Sequence, residues 1–259
     1  MCPDKPINPM TLHEWLESSP FTLVMSSGFF GFFAHCGMLQ ALESTGLRPA
    51  AVAGSSAGAL IAGCWAAGVD SEEIGHVLSD LERADFWDPR PGPGLLRGRA
   101  FRRRLESLLP VETFEQCRVA CTVSVFDLFK LKTRPIVSGK LAPAVHASCA
   151  VPFMFHPVWL DGSPCVDGGV ADRPGIAGVG RDRNVFFHHL ASRSPWRLAP
   201  PAIPRRANLV PLIIEDLPRV DPFRLERGRL ALAKARQATL QALQRPLAEN
   251  PERASGARH

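Results

Sequence analysis

The sequence predicts an α/β fold, with three layers (α/β/α) around a mainly parallel central sheet. Three observations lead there. Short apolar runs alternate with helical patterns over residues 21–67, a strand–helix–strand–helix order that implies parallel strands joined by right-handed crossovers. Residues 18–42 and 49–69 contain no Asp, Glu, Lys or Arg, yet glycines and serines interrupt both where a strand would pass into a helix. A strand buried on both faces and followed by a packed helix has this composition, whereas the polar interruption disfavours a membrane span. Later apolar runs, bounded by turn residues, read as further strands.

The elements follow in order. FTLVM (21–25) is the first strand, ended by Ser26-Ser27-Gly28. Residues 32–45 are helical, with Gly46 placed to stop them. Residues 50–53 form the second strand; Gly54 begins a turn, and 57–67 form the second helix. Asp70 caps a third helix, with Glu73 at its third position, running to about residue 84. Residues 85–97 are a Pro/Gly-rich loop, followed by a basic helix over 99–109. Strands are expected at 118–126 and 130–137, and a hairpin pairs 156–160 with 164–166 around Asp161-Gly162. Residues 184–190 and 208–215 are late strands, and Asp221-Pro222 begins an amphipathic helix to about residue 244. Residues 1–20 are thus an N-terminal extension, 21–248 a single domain, and 249–259 a polar, disordered tail.

The 259 residues suit one domain, and 46% hydrophobic with 21% charged residues is ordinary for a soluble protein. A net charge of +5 is mild and gives no argument for nucleic acid. The seven cysteines are scattered, and only Cys117 and Cys121 lie close, with no second pair to complete a zinc site. Reduced thiols in a cytosol-like compartment fit this pattern. The first twenty residues include acids and lack an apolar core, so no secretory signal is expected. Neither a metal nor another cofactor is implied, and the sequence gives no oligomeric state.

Gly54-Ser55-Ser56-Ala57-Gly58 is a G-x-S-x-G sequence between an expected strand and an expected helix, the context of a nucleophile elbow. The glycines permit a sharp turn, and Ser56 would stand at a helix N-terminus, where peptide dipoles favour developing negative charge. The plain alternative is a small-residue turn. Ser26-Ser27-Gly28-Phe29-Phe30-Gly31 ends the first strand, so a parallel sheet brings it beside the elbow. Backbone N–H groups there could hold a tetrahedral oxyanion; the other readings are an ordinary strand–helix turn and a dinucleotide loop. The dinucleotide reading is weakened by Ser26 in place of the first glycine of G-x-G-x-x-G and by the lack of an acidic residue about twenty positions on. Asp167-Gly168-Gly169 follows a short strand, and a carboxylate close to Ser56 could take its proton with no histidine. An ordinary turn Asp reads equally well.

These motifs together resemble the patatin-like phospholipases. The resemblance also rests on GFFAHCGML (31–39) and on HASCAVPFMFHPVWLDGSPCVDGGVADRPG (146–175), and it spans roughly residues 21–192. It implies a patatin-like fold and a Ser–Asp dyad that hydrolyses lipid esters through an acyl-enzyme, with Ser56 as nucleophile and Asp167 as base. It further implies an oxyanion hole at Gly28 and Phe29, assisted by the loop around Ser27. The family loop usually opens with three glycines and has an arginine two positions later; here Ser26 and Ser27 replace the first two, and Phe30 fills the arginine's slot.

The partner so implied is a lipid ester, met in the cytoplasm or at a membrane periphery. The arginines at 97, 99, 102, 103 and 104 could draw the chain to anionic membranes, though a solvated helix face explains them equally. Phe29, Phe30, Phe32 and Phe33 could line an acyl groove or simply pack a helix. Two rival functions stand beside the dyad. His188 or His189 would complete a Ser-Asp-His triad of the α/β-hydrolase type, although the elbow follows only one earlier strand. The altered glycine loop would suit a catalytically weak lipid-binding protein. Acyl transfer to an alcohol would use the same acyl-enzyme as hydrolysis.

Overall fold

The computed structural model describes residues 9–191 and 203–247; the expected tail lies outside them. α1 (Leu12–Ser18) opens on a capping box: the Thr11 hydroxyl accepts from the Glu14 N–H, and the Glu14 carboxylate accepts from the Thr11 N–H. Its Leu12 and Leu16 are buried in the main core. β1 (Phe21–Met25), buried throughout, leads to α2 (Phe32–Ser44), then β2 (Ala51–Ser55) and α3 (Ala57–Ala67). Every residue of α3 is buried, which accounts for the uncharged stretch around it. Among the described residues no helix is long and apolar enough to cross a membrane.

α4 (Ser71–Ser79) begins where the Asp70 carboxylate accepts from the Glu73 N–H at 2.8 Å. It stops before residue 84 because the chain passes into a separate 3-10 turn, Arg83–Asp85, whose Asp85 carboxylate accepts from the Glu82 N–H. The Pro/Gly-rich loop contains β3 (Gly94–Leu96) and precedes α5 (Arg99–Leu108). The Asp88 carboxylate anchors the start of α5 by accepting the N–H groups of Gly98, Arg99 and Ala100. β4 (Ala120–Asp127), β5 (Lys132–Ile136), α6 (Leu141–Ser148) and β6 (Phe153–Phe155) follow. β7 (Val158–Leu160) and β8 (Ser163–Asp167) form the expected hairpin; Asp161 and Gly162 both have positive φ, +48° and +78°, as a type I′ turn requires. β9 (Asn184–Leu190), β10 (Leu209–Ile214) and α7 (Arg227–Leu243) complete the described chain.

The sheet runs β10-β9-β1-β2-β4-β8-β7, with β5 on the other edge of β4. The first five strands of that order are parallel, while β5 and β8 run antiparallel to β4. The fold is therefore α/β, with a mostly parallel central sheet and flanking helices. α2, α3, α6 and α7 share one large core with residues of the sheet such as Leu23, Met25 and Phe186. On the opposite face Val24, Ala53, Val185, Phe187 and Leu209 form a smaller core, joined by Ile176, Val179 and Ile203.

Candidate active site

Along one edge of β4, β2 and β8 lie end to end. Ser55, the last residue of β2, is the partner of Ser124, and Asp167, the last residue of β8, is the partner of Val125. The residue after Ser55 consequently arrives beside Asp167. The Ser56 hydroxyl donates to Asp167 Oδ2 at 2.6 Å, with no imidazole between them. A carboxylate at that distance can take the hydroxyl proton directly.

Ser56 has φ +54° and ψ −118°, a conformation that costs a non-glycine residue on the order of 1–3 kcal/mol. Its surroundings hold it there. The Ser56 N–H donates to Ser148 Oγ at 2.9 Å, and the Ser148 hydroxyl in turn donates to the Ser124 carbonyl at 2.6 Å. Two glycines permit the sharp turn. A Cβ at Gly58 would stand 2.0 Å from the Met25 carbonyl oxygen, and one at Gly54 would stand 2.4 Å from the Gly58 carbonyl carbon. Cys149 Sγ lies 3.3 Å from the Ser56 carbonyl oxygen, but burial and the nearby Asp167 charge raise its pKa well above the ordinary value, so it stays a thiol.

Asp167 is buried and held on both sides. Its N–H donates to the Ala150 carbonyl at 2.9 Å, and its Oδ1 accepts from the Gly169 N–H at 2.7 Å, which caps the 3-10 turn Gly168–Val170. Oδ2 is thereby turned to Ser56. Five residues on, buried Asp172 accepts from Ser124 Oγ at 2.6 Å and from the N–H groups of Gly175, Ile176 and Ala177, and so fixes the following loop against β4. Sequence reasoning assigned no role to Ser148 or Asp172. Both stand in the stretch 146–175, but the signal is positional, since neither forms a motif of its own.

Of the glycine-loop residues, Ser27 uses its N–H on the Arg173 carbonyl at 2.8 Å, which leaves its hydroxyl, buried and without a partner among the described residues, as its available donor. Among the described residues the N–H groups of Gly28 and Phe29 donate to no backbone acceptor. Phe29 is half exposed and packs edge-on against Phe30, which in turn meets Phe86. Phe33 is buried in the core beside α7.

Among the described residues no cluster of three or more His, Cys, Asp or Glu could hold a metal ion. A cleft of about 240 Å³ lies at the amino ends of the central strands, lined by Phe21, Val52, Thr122 and Arg183 among others. Ser56 and Asp167 are not part of it.

Residues 23–178 match the family model described as patatin-like phospholipase, more than half of the chain. The chain belongs to the patatin-like phospholipase family. Over 185 residues it is 31% identical to uncharacterized NTE family proteins of Mycobacterium tuberculosis and Mycobacterium bovis, with 68% of this chain and 51% of theirs covered. It is 29% identical over 199 residues to the triacylglycerol lipase ptl3 of Schizosaccharomyces pombe, with 57% of this chain and 41% of that protein covered. The chain thus spans about half the length of the curated relatives it matches. Among solved structures, VipD from Legionella pneumophila superposes with a TM-score of 0.65 at 16% identity, over 86% of this chain and 66% of VipD, a likeness of fold.

Where patatin-like phospholipases usually carry glycines, Ser26 is built into the protein interior. Its N–H donates to the His188 carbonyl at 3.2 Å, and its hydroxyl accepts from the Leu190 N–H at 2.9 Å. His35 Nε2 lies 2.8 Å from the Ser26 carbonyl and must donate to it. His35 Nδ1 is then an acceptor, so His188 Nδ1, at 2.8 Å, donates. Both rings are buried; burial lowers the His35 pKa to about 4 and holds His188 well below its ordinary value, so the pair is neutral. Of the two triad candidates, His188 thus bonds His35 behind the loop. His189 Nδ1 has no partner among the described residues.

Proposed function

We propose that the chain hydrolyses ester bonds of lipids with Ser56 as nucleophile and Asp167 as general base, a dyad with no catalytic histidine. The observation that carries the reading is the 2.6 Å hydrogen bond from Ser56 Oγ to Asp167 Oδ2. Membership of a phospholipase family and the likeness to a protein named a triacylglycerol lipase support esters of glycerol-based lipids as the substrate class.

In this mechanism Ser56 Oγ attacks the ester carbonyl carbon while its proton passes to Asp167 Oδ2. The N–H groups of Gly28 and Phe29 receive the oxyanion, and the Ser27 hydroxyl stands beside them. Collapse breaks the bond to the leaving alcohol, which takes the proton from Asp167. Water then attacks the acyl-Ser56 carbonyl and gives its proton to Asp167; a second collapse returns the proton to Ser56 Oγ and frees the carboxylic acid.

Release of p-nitrophenol from p-nitrophenyl esters of increasing chain length tests the proposal. Turnover by the wild type, lost in Ser56→Ala, is expected. Equal turnover by Ser56→Ala would remove Ser56 from the chemistry, and inertness of the wild type on every chain length would favour the lipid-binding reading.

A further inference from the structure

The loop between β4 and β5 presents an apolar surface to solvent. Phe129 is 67% exposed, Leu131 74%, and Trp159, from neighbouring β7, 65%. The Phe129 and Trp159 rings pack edge to face, with centroids 5.8 Å apart, and Leu131 stands two residues after Phe129 in the same turn. Folded proteins seldom leave clustered aromatic rings in water without an interaction to use them.

The loop is also built to keep that shape. Buried Asp127, at the end of β4, accepts from the Phe129 N–H at 3.0 Å, the Lys130 N–H at 2.9 Å and the Ser163 hydroxyl at 2.6 Å, all on Oδ1. The Leu128 N–H donates to the Pro164 carbonyl at 3.0 Å, which ties the loop to the β7–β8 hairpin. Leu131 adopts φ +49°, in the left-handed region, which a leucine takes up only where its surroundings impose it. The exposed rings are therefore held in place before any partner arrives, and less ordering remains to be done on contact.

Charge names the partner. Lys130 and Lys132 are exposed between and beside the apolar residues, and among the described residues neither forms an ion pair. Arg134 is committed to Asp161 and Asp127. Aromatic and leucine side chains with two unpaired ammonium groups match the interface of a bilayer containing anionic lipids, where rings settle at headgroup depth and lysines meet phosphates. Position agrees. Asp167 is level with Val125, and β4 runs only as far as Asp127, which pairs with Lys132, so the turn 128–131 starts roughly 7 Å beyond the pair along the strand direction. It projects from the carboxyl edge of β4, the edge at which Ser56 leaves β2. α5 lacks this combination, because its apolar Leu105 is buried while Arg103 and Arg104 face solvent.

We propose that the β4–β5 loop, together with Trp159, docks the protein on the surface of bilayers that carry anionic lipids. The inference rests on the lipid-hydrolase reading for its purpose but not for its measurement.

Sedimentation with vesicles of phosphatidylcholine alone, and of phosphatidylcholine with phosphatidylglycerol, tests it in a Ser56→Ala background, where nothing is hydrolysed. Phe129→Ser/Trp159→Ser is expected to reduce partitioning on both vesicles by tenfold or more. Lys130→Gln/Lys132→Gln is expected to reduce it about 30-fold on the anionic vesicles, and little on the neutral ones. Binding unchanged in both double variants overturns the proposal, as does a concentration-dependent dimer that Phe129→Ser/Trp159→Ser abolishes without changing vesicle binding. With Ser56 restored, the Phe129/Trp159 variant should hydrolyse soluble p-nitrophenyl butyrate at the wild-type rate and vesicle lipid more slowly. A wild type inert on the soluble ester would count against the hydrolase reading alone, since the sedimentation result stands without turnover.

Discussion

Ser55 and Asp167 face consecutive residues of one strand, Ser124 and Val125, because β2 and β8 abut along the same edge of β4. Backbone register therefore sets the meeting of Ser56 and Asp167, which are 111 positions apart in sequence. The pair is as rigid as the sheet beneath it, and variants around it should separate chemistry from scaffold.

Ser148→Ala removes the acceptor for the Ser56 N–H and the donor to the Ser124 carbonyl. Leaving buried polar groups unpaired costs about 1–3 kcal/mol of stability. Turnover should fall about tenfold as the elbow loosens, with KM nearly constant. Thermal melts and ester kinetics measured together check this; unchanged kcat would mean that the turn holds without Ser148.

Gly58→Ala would place a methyl group 2.0 Å from the Met25 carbonyl oxygen, a backbone atom that cannot move without shifting β1. A loss of about 3 kcal/mol, the upper end for overpacking, is expected. A urea midpoint like that of the wild type would contradict the close packing of α3 on β1.

These two sites differ in how far the sequence disclosed them. FTLVM, the uncharged helices and the Gly-x-Ser-x-Gly turn marked β1, α2, β2 and α3 because each is buried on nearly every side, and burial writes itself into composition. Asp161-Gly162 likewise announced its hairpin through the positive φ it must supply. α6 was not foreseen: Pro143 stands in its first turn, where proline is tolerated, but in a short apolar segment it reads as a break. β3 and β6 are three residues each and form a small two-stranded sheet apart from the main one. α7 begins at Arg227, not after Asp221, whose carboxylate instead closes a local turn by accepting from the Phe223 N–H. The contacts of Ser148 and of His35 with His188 come from tertiary packing, which leaves no local pattern.

His35 and His188 give the fold an acid limit. Their folded pKa values lie below that of a free imidazole, His35 near 4, so between about pH 6.5 and 4 the unfolded chain binds more protons than the folded one. Buried His146, lowered to about 3, acts in the same direction. Stability should be full above about pH 6.5 and fall as the pH drops towards 4. Urea unfolding at half-unit intervals reads this out, and a midpoint that stays flat over that range would show that the rings are not buried and neutral.

His189→Ala should retain ester hydrolysis within about threefold, because the Ser56 hydroxyl reaches its carboxylate directly. Loss of two or more orders of magnitude, with an unchanged melting temperature, would instead place a histidine in the proton path.

Activation of Ser56 by Asp167 can be read without the natural substrate, from the rate at which a lipid-like fluorophosphonate labels Ser56 covalently. Peptide mass spectrometry should find the adduct on Ser56 in the wild type, formed about 10²–10⁴ times more slowly in folded Asp167→Asn. Labelling of Asp167→Asn at the wild-type rate, or an adduct on any other residue, would show that Asp167 does not activate Ser56.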